Sequence, residues 1–297
     1  MHCVFIACVL SLSNIAQILA ATTDANADWL VRSTHPDVVR ALRFDTESEY
    51  SSNLHENTPR DNAYDTTIKA SGAGSLRFDI LSNSGGSDAG SWKLNFSEDW
   101  QTQFGENSSF YVQWRQRFDQ YFIEHQYAAV SSSQTDWKQV IIGQGDGVSA
   151  QPDGFFVNSC TELELVMRRH SSTEYPLMYH SCGWYEGLSE SDGAYDYLYQ
   201  NQLTDCFHYG TKTGCAKYYP DEWMTFQVGV HLGPWSASAL DSNTGQYMVG
   251  FANSTVEFWV AREGQPAVLA HRQTGLVLRR GNYDDNWADA AHDARYG

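Results

Sequence analysis

Hydrophobic and polar positions alternate along much of this chain, most clearly in residues 110–118. There Phe110, Val112, Trp114, Gln116 and Phe118 share one parity, and Tyr111, Gln113, Arg115 and Arg117 share the other. Successive side chains of a strand point to opposite faces, so this segment predicts a strand with one mostly apolar face and one hydrogen-bonding, cationic face. Comparable alternation predicts strands over 75–80, 91–96, 137–143, 161–170, 177–181, 223–232, 255–261 and 268–273, with a first strand over 38–44. Turn-forming residues separate them, and only 119–126 suggests a helical turn. Many short strands with almost no helix predict an all-β sandwich or barrel. The shared core should hold Val112, Phe226, Val228 and Phe258.

The chain has 297 residues, only 19% of them charged. Its abundance of Gly, Ser, Tyr and Trp suits a loop-rich β protein. Residues 1–20 combine an apolar core too short to span a bilayer with small residues at the end, which reads as a signal peptide cut near Ala20 or Ala21. The expected product is secreted and monomeric, with 24–297 as one domain and a long loop insertion at 183–222. The chain then stops in a polar tail, as though just before a final strand.

A formal charge of −17 argues against nucleic acid and anionic membranes as partners, because both require a basic footprint. Beyond the leader the chain keeps Cys160, Cys182, Cys206 and Cys215, an even number in an oxidising context. Nearest-neighbour pairing gives Cys160–Cys182 and Cys206–Cys215, one of three connectivities. No CxxC or HxxxH spacing supports zinc. Asn-x-Ser/Thr sequons stand at Asn95, Asn107 and Asn253, to be used only in a eukaryotic host. No cofactor is required. Asp146 with Asp153, or the acidic residues 284–293, offer oxygen ligands of the kind a structural calcium takes.

Several strands repeat the one-apolar, one-functional pattern. Lys138 and Gln139 lie on 137–143, Arg168 lies on 161–170, and Tyr179 and His180 occupy 177–181. Trp223, Thr225, Gln227 and His231 oppose Met224, Phe226, Val228 and Val230, and Trp259 lies on the following strand. Indole and phenol rings offer flat apolar area to sugar rings while polar groups fix hydroxyls, so such a face predicts a polysaccharide groove.

The opening Gly-Ala-Gly-Ser-Leu-Arg-Phe of residues 72–78 resembles the first strand of concanavalin A-like jelly-roll polysaccharide lyases. So does the late pair of 221–231 and 254–263. That fold, two antiparallel sheets, is shared by legume-type lectins and many β-glucanases. The resemblance runs from about Val38 to Gly281 in strand order. It implies β-elimination at a uronic acid. A cationic or amide group holds the carboxylate, a His or Tyr takes the adjacent proton, and a Tyr protonates the leaving oxygen. It assigns Arg115 and Gln139 as neutralisers, His180 or His231 as base and Tyr179 as acid. Gln113, Arg117, Lys138, Arg168, His231 and Trp259 would bind substrate. The Arg-Ser-Glu-Leu-Arg and Gln-Ile-His strings of alginate lyases are absent, and Arg77 stands where the first string's last arginine would.

Two other functions fit the pattern. Glu162 and Glu164, spaced i, i+2, fit a glycoside hydrolase of the same fold, although the third acid such enzymes carry is missing. A non-catalytic, lectin-like binding module needs only the groove.

Overall fold

The computed structural model describes residues 2–4, 33–51, 54–56, 62–70, 72–79, 91–93, 96–97, 102–125, 137–142, 163–167, 176–180, 196–198, 216–240, 242, 245 and 247–278. The fold is all-β with antiparallel sheets. Its strands are β1 (His2–Val4), β2 (Leu54–Glu56), β3 (Asn62–Asp65), β4 (Ser75–Phe78), β5 (Ser91–Lys93), β6 (Ser109–Arg117), β7 (Trp137–Ile142), β8 (Leu163–Met167), β9 (Pro176–His180), β10 (Asp196–Leu198), β11 (Met224–His231), β12 (Trp235–Leu240), β13 (Tyr247–Ala261) and β14 (Val268–Leu278). The helices are short: α1 (Glu47–Ser51) and α2 (Gln120–His125).

The main sheet has the order β12-β13-β11-β6-β1-β4-β3, with β14 on β13. β13 is long enough to hold two strands in tandem on one edge. Trp235 of β12 pairs with Phe251, and Gln227 of β11 pairs with Trp259, while Leu278 and Leu269 of β14 meet the same two residues from the other edge. A second sheet has the order β10-β9-β8-β7, and β2 pairs with β5.

Alternation on β6 and β11 sets the core. Phe110, Val112 and Trp114 join Met224, Phe226, Val228 and Val230, then Val256, Phe258 and Val260 from β13. Rings stack across three strands, Trp114 on Phe226 at 5.6 Å and Phe226 on Phe258 at 6.2 Å between centroids. Each such side chain contributes about 1.5–3 kcal/mol by leaving water. The four expected core residues are all buried here. Val140 and Ile142 of β7 belong to the same core, so the second sheet packs against the apolar face of the first.

One polar knot crosses that contact. Gln139 donates to Gln116 of β6 and accepts from the Tyr218 hydroxyl at 2.7 Å, and Trp114 Nε1 also donates to Gln116 at 3.2 Å. Gln139 reaches inward because a β-bulge follows Lys138. The extra residue turns both Gln139 and Val140 inward and leaves Ile141 outside, 46% exposed.

Several elements differ from expectation. Residues 38–44 form no strand. Val38 makes only an isolated bridge, and the amides of Arg43, Asp45 and Thr46 all donate to the Glu49 carboxylate, which starts α1. β13 and β14 run longer than their alternation suggested, because bulges break the parity without ending the pairing. β3 and β12 were not anticipated: Asn-Ala-Tyr-Asp and Trp-Ser-Ala-Ser-Ala-Leu lack β-branched residues. β10 lies inside the expected loop insertion. Cys160, Cys182, Cys206 and Cys215 lie outside the described residues, as do Asp146, Asp153 and 284–293.

His271 on β14 is 2% exposed, and neither ring nitrogen has a hydrogen-bond partner among the described residues. Burial pushes its pKa down to about 4. The unfolded chain, titrating near the ordinary 6.5, therefore binds a proton that the fold does not bind between those values. Stability is full above pH 6.5 and is lost as pH falls toward 4, by about 3 kcal/mol from this group. Urea unfolding of wild type and His271→Phe at pH 7 and 4.5 should show a smaller loss in the variant; equal losses would exclude His271 as the source. For the polar knot, Tyr218→Phe withdraws the hydroxyl from buried Gln139 and should cost about 1–3 kcal/mol in the same measurement.

Candidate functional site

The second face of β6 is polar, and it is also buried. Tyr111, Gln113 and Arg115 are 5%, 4% and 1% exposed. Polar groups held out of water call for partners, and the neighbouring strands supply most of them; the buried Nε of Arg115 has none among the described residues. β11 pairs with β6 so that Thr225 faces Arg115, Gln227 faces Gln113, Gly229 faces Tyr111 and His231 faces Ser109. β13 continues the row, with Ala261, Trp259, Glu257 and Thr255 against the same four β11 residues. One sheet face therefore carries Arg115, Gln113 and Tyr111, then Thr225, Gln227 and His231, then Trp259 and Glu257.

The contacts follow the register. Gln113 Nε2 donates to Gln227 Oε1 at 2.7 Å. The Tyr111 hydroxyl lies 3.4 Å from His231 Nε2, and the rings meet edge to face with centroids 5.6 Å apart. His231 Nδ1 is 3.0 Å from Ser109 Oγ. Glu257 approaches the same ring nitrogen as the Tyr111 hydroxyl, with Oε2 3.8 Å from Nε2. The same carboxylate accepts from Trp259 Nε1 at 3.3 Å and pairs with Arg272 Nη2 at 2.7 Å. Arg115 meets Glu263 at 3.4 Å.

These contacts set the proton affinities. The His231 contact, then Trp259 and Arg272, hold Glu257 below its usual range against the opposing effect of burial. Burial, reinforced by the Glu257 charge, pushes the Tyr111 phenol up to about 12. Tyr111 is therefore a neutral proton donor at any ordinary pH. His231, 27% exposed, and the half-buried Trp259 are rings of this row that reach solvent.

Gly229 makes the Tyr111–His231 approach feasible. A Cβ at that position would stand 2.6 Å from Tyr111 Cε1. The phenol ring occupies the volume a side chain would take, a reason for glycine inside a strand.

Of the residues singled out from sequence, Gln113, Arg115, His231 and Trp259 share this face. Arg117 has the same parity but is tied to the 220–221 turn, with Nη2 on Asp221 Oδ1 at 2.6 Å and Nε on the Asp221 carbonyl. Gln139, Tyr179 and His180 require a correction. They belong to β7 and β9 of the second sheet, not to strands beside β6. Gln139 bonds Gln116 on the opposite face of β6 from Arg115, so it cannot act with Arg115 on one ligand. Lys138 also lies on β7 and Glu164 on β8; Arg168 and Glu162 fall outside the described residues. Arg77 bridges Asp65 and Asp79. Sequence reasoning missed the roles of Glu257, Arg272, Ser109 and Gly229. A charged residue between Val256 and Phe258, at the parity of Trp259, was the available signal for Glu257.

Among the described residues, no group of three or more His, Cys, Asp or Glu side chains could hold a metal ion. Comparison with protein families, curated proteins and solved structures found no match.

Gly229→Ala should push the Tyr111 ring off the strand and separate it from His231. We expect a loss of about 1–3 kcal/mol from overpacking. Nuclear Overhauser contacts between the two rings should weaken; unchanged contacts and stability would show that the strand absorbs a methyl group.

Proposed function

We propose that this protein is a secreted polysaccharide lyase of the concanavalin A-like jelly-roll type, cleaving a uronate-containing polysaccharide by β-elimination. The observation that carries this reading is the Tyr111–His231 pair, set beside the Gln113–Gln227 amides and Arg115 on one sheet face.

β-Elimination needs three groups around one sugar. Negative charge grows on the uronate carboxylate as the adjacent proton leaves; Arg115, 1% exposed behind the half-exposed Glu263, supplies donors for it once that carboxylate is displaced, while Gln113 stays bonded to Gln227 and holds the row in place. His231 Nε2 takes the proton, and its imidazolium is stabilised by the Glu257 carboxylate at 3.8 Å. Tyr111, protonated because burial holds it so, gives its proton to the leaving glycosidic oxygen. His231 can then return the substrate proton to Tyr111 across 3.4 Å, resetting both groups. Trp259 gives a sugar ring a flat partner. Of the two bases offered by the sequence reading, His180 and His231, His231 is kept, and Tyr111 replaces Tyr179 as acid.

A panel of uronate and neutral glycans separates the alternatives. A lyase produces both ultraviolet-absorbing unsaturated ends and reducing ends, a hydrolase only reducing ends, and a binding module neither. His231→Ala and Tyr111→Phe should each lower turnover by about 10²–10⁴-fold. Glycan affinity should change little, because proton transfer belongs to the transition state. Full activity in both variants, or binding without turnover by wild type on every glycan, would overturn the proposal.

A further inference from the structure

The work asked of His231 depends on which ring nitrogen carries its proton. A neutral imidazole has one N–H and one bare nitrogen. β-Elimination as proposed above needs Nε2 bare, because Nε2 takes the substrate proton. With the proton on Nε2 and the lone pair on Nδ1, the ring would sit in place and have no basic nitrogen where the sugar lies.

Two forces oppose each other at this ring. The Glu257 carboxylate, 3.8 Å from Nε2, favours a proton on that nitrogen. At such a distance the pull is one of charge more than of hydrogen bonding. Ser109 Oγ lies 3.0 Å from Nδ1, within ordinary hydrogen-bond reach. A hydroxyl can donate or accept, and Tyr111 sets the direction. Its phenol is 5% exposed and keeps its proton at any ordinary pH. Among the described residues that proton has one acceptor in reach, His231 Nε2 at 3.4 Å. A buried hydroxyl proton without an acceptor is costly, so Tyr111 donates to Nε2. Nε2 is then bare, the ring proton is on Nδ1, and Ser109 Oγ accepts it.

We propose that Ser109 is a positioning residue for His231: by accepting from Nδ1 it holds the ring in the tautomer with a bare Nε2, against the charge of Glu257. Its part in a reaction rests on the lyase reading above; the tautomer rests on the contacts alone. The backbone brings the two side chains together. Ser109 is level with His231 in the β6–β11 ladder, and the Leu232 amide donates to the Ser108 carbonyl at 2.8 Å beside them. A one-carbon side chain therefore reaches Nδ1 with little freedom to lose. The proton bookkeeping follows. As the Tyr111 hydroxyl turns to the glycosidic oxygen, the Nε2 lone pair is released toward the sugar. Nε2 takes the carbon-bound proton while Tyr111 gives its own to the leaving oxygen. The imidazolium then carries Nδ1–H on Ser109 and Nε2–H beside Glu257, and Nε2 returns its proton to the phenolate. The Nδ1 proton never moves.

The tautomer can be read without substrate. In nitrogen-15-labelled protein at about pH 9, above the ordinary imidazole range, correlations from the ring carbon protons show which nitrogen is protonated. The His231 signals are assigned by their loss in His231→Gln. Wild-type His231 should carry its proton on Nδ1. In Ser109→Ala the Nε2–H form should become the major one, and Ser109→Thr, which restores a hydroxyl, should return the proton to Nδ1. A wild-type ring protonated on Nε2, or a ring unchanged in Ser109→Ala, would overturn the proposal. On a glycan that wild type cleaves, kcat of Ser109→Ala should fall about tenfold with KM little changed, the scale of bias one hydrogen bond supplies. An unchanged kcat beside a shifted tautomer would equally overturn the positioning role. If wild type cleaves no glycan, the lyase reading fails, and the ring spectrum alone decides whether Ser109 sets the tautomer.

Discussion

β6 is buried on both faces, and that constraint organises the rest of the structure. A strand with one wet face can carry any polar residue there. This one cannot, because Gln113 and Arg115 lie almost wholly out of water. A buried amide or guanidinium without partners costs several kcal/mol, so neighbouring elements must be built to receive these groups. Gln227 on β11 receives Gln113, and Glu263, beyond the end of β13, receives Arg115. On the opposite face Gln116 plays the same part, drawing Gln139 from the second sheet and, through it, Tyr218. Polar contacts add little net stability here. They fix which strand lies beside which, because a slip of one residue would move each polar group to the wrong face.

The apolar half of this arrangement was legible in the sequence. Period-two alternation on 110–118 and 223–232 placed the strands, and Val112, Phe226, Val228 and Phe258 took the core positions that parity assigned them. Parity also separated Tyr111, Gln113 and Arg115 from the core. What it could not give was strand order. Gln139, Tyr179 and His180 have suitable chemistry on suitable strands, but β7 and β9 belong to another sheet. The bulge after Lys138 then reversed the parity of Gln139 itself. Where hydrogen bonding rather than alternation defines a strand, as in β3 and β12, the sequence carries little signal. Residues 38–44 show the converse: apolar residues are present, but no strand forms, and the Arg43 amide donates to the Glu49 carboxylate at the start of α1.

The chain's acidity acquires a local meaning on the polar side of the main sheet. Arg115 is matched by Glu263, Arg117 by Asp221, Arg262 by Glu222 and Arg272 by Glu257. Each of these cations already faces a carboxylate. Under the reading proposed above, an anionic sugar therefore does not meet an open positive field; it exchanges one carboxylate for another. The partners differ in how readily they would yield. Glu257 is 8% exposed and held by Arg272 and Trp259 as well as by His231. Glu263 is 46% exposed and meets Arg115 at only 3.4 Å. Displacing it returns a carboxylate to water at little cost, whereas displacing Glu257 would strand a charge in a buried row. Recognition of a uronate is thus most feasible at Arg115, and Glu257 is better suited to stay in place beside His231 throughout.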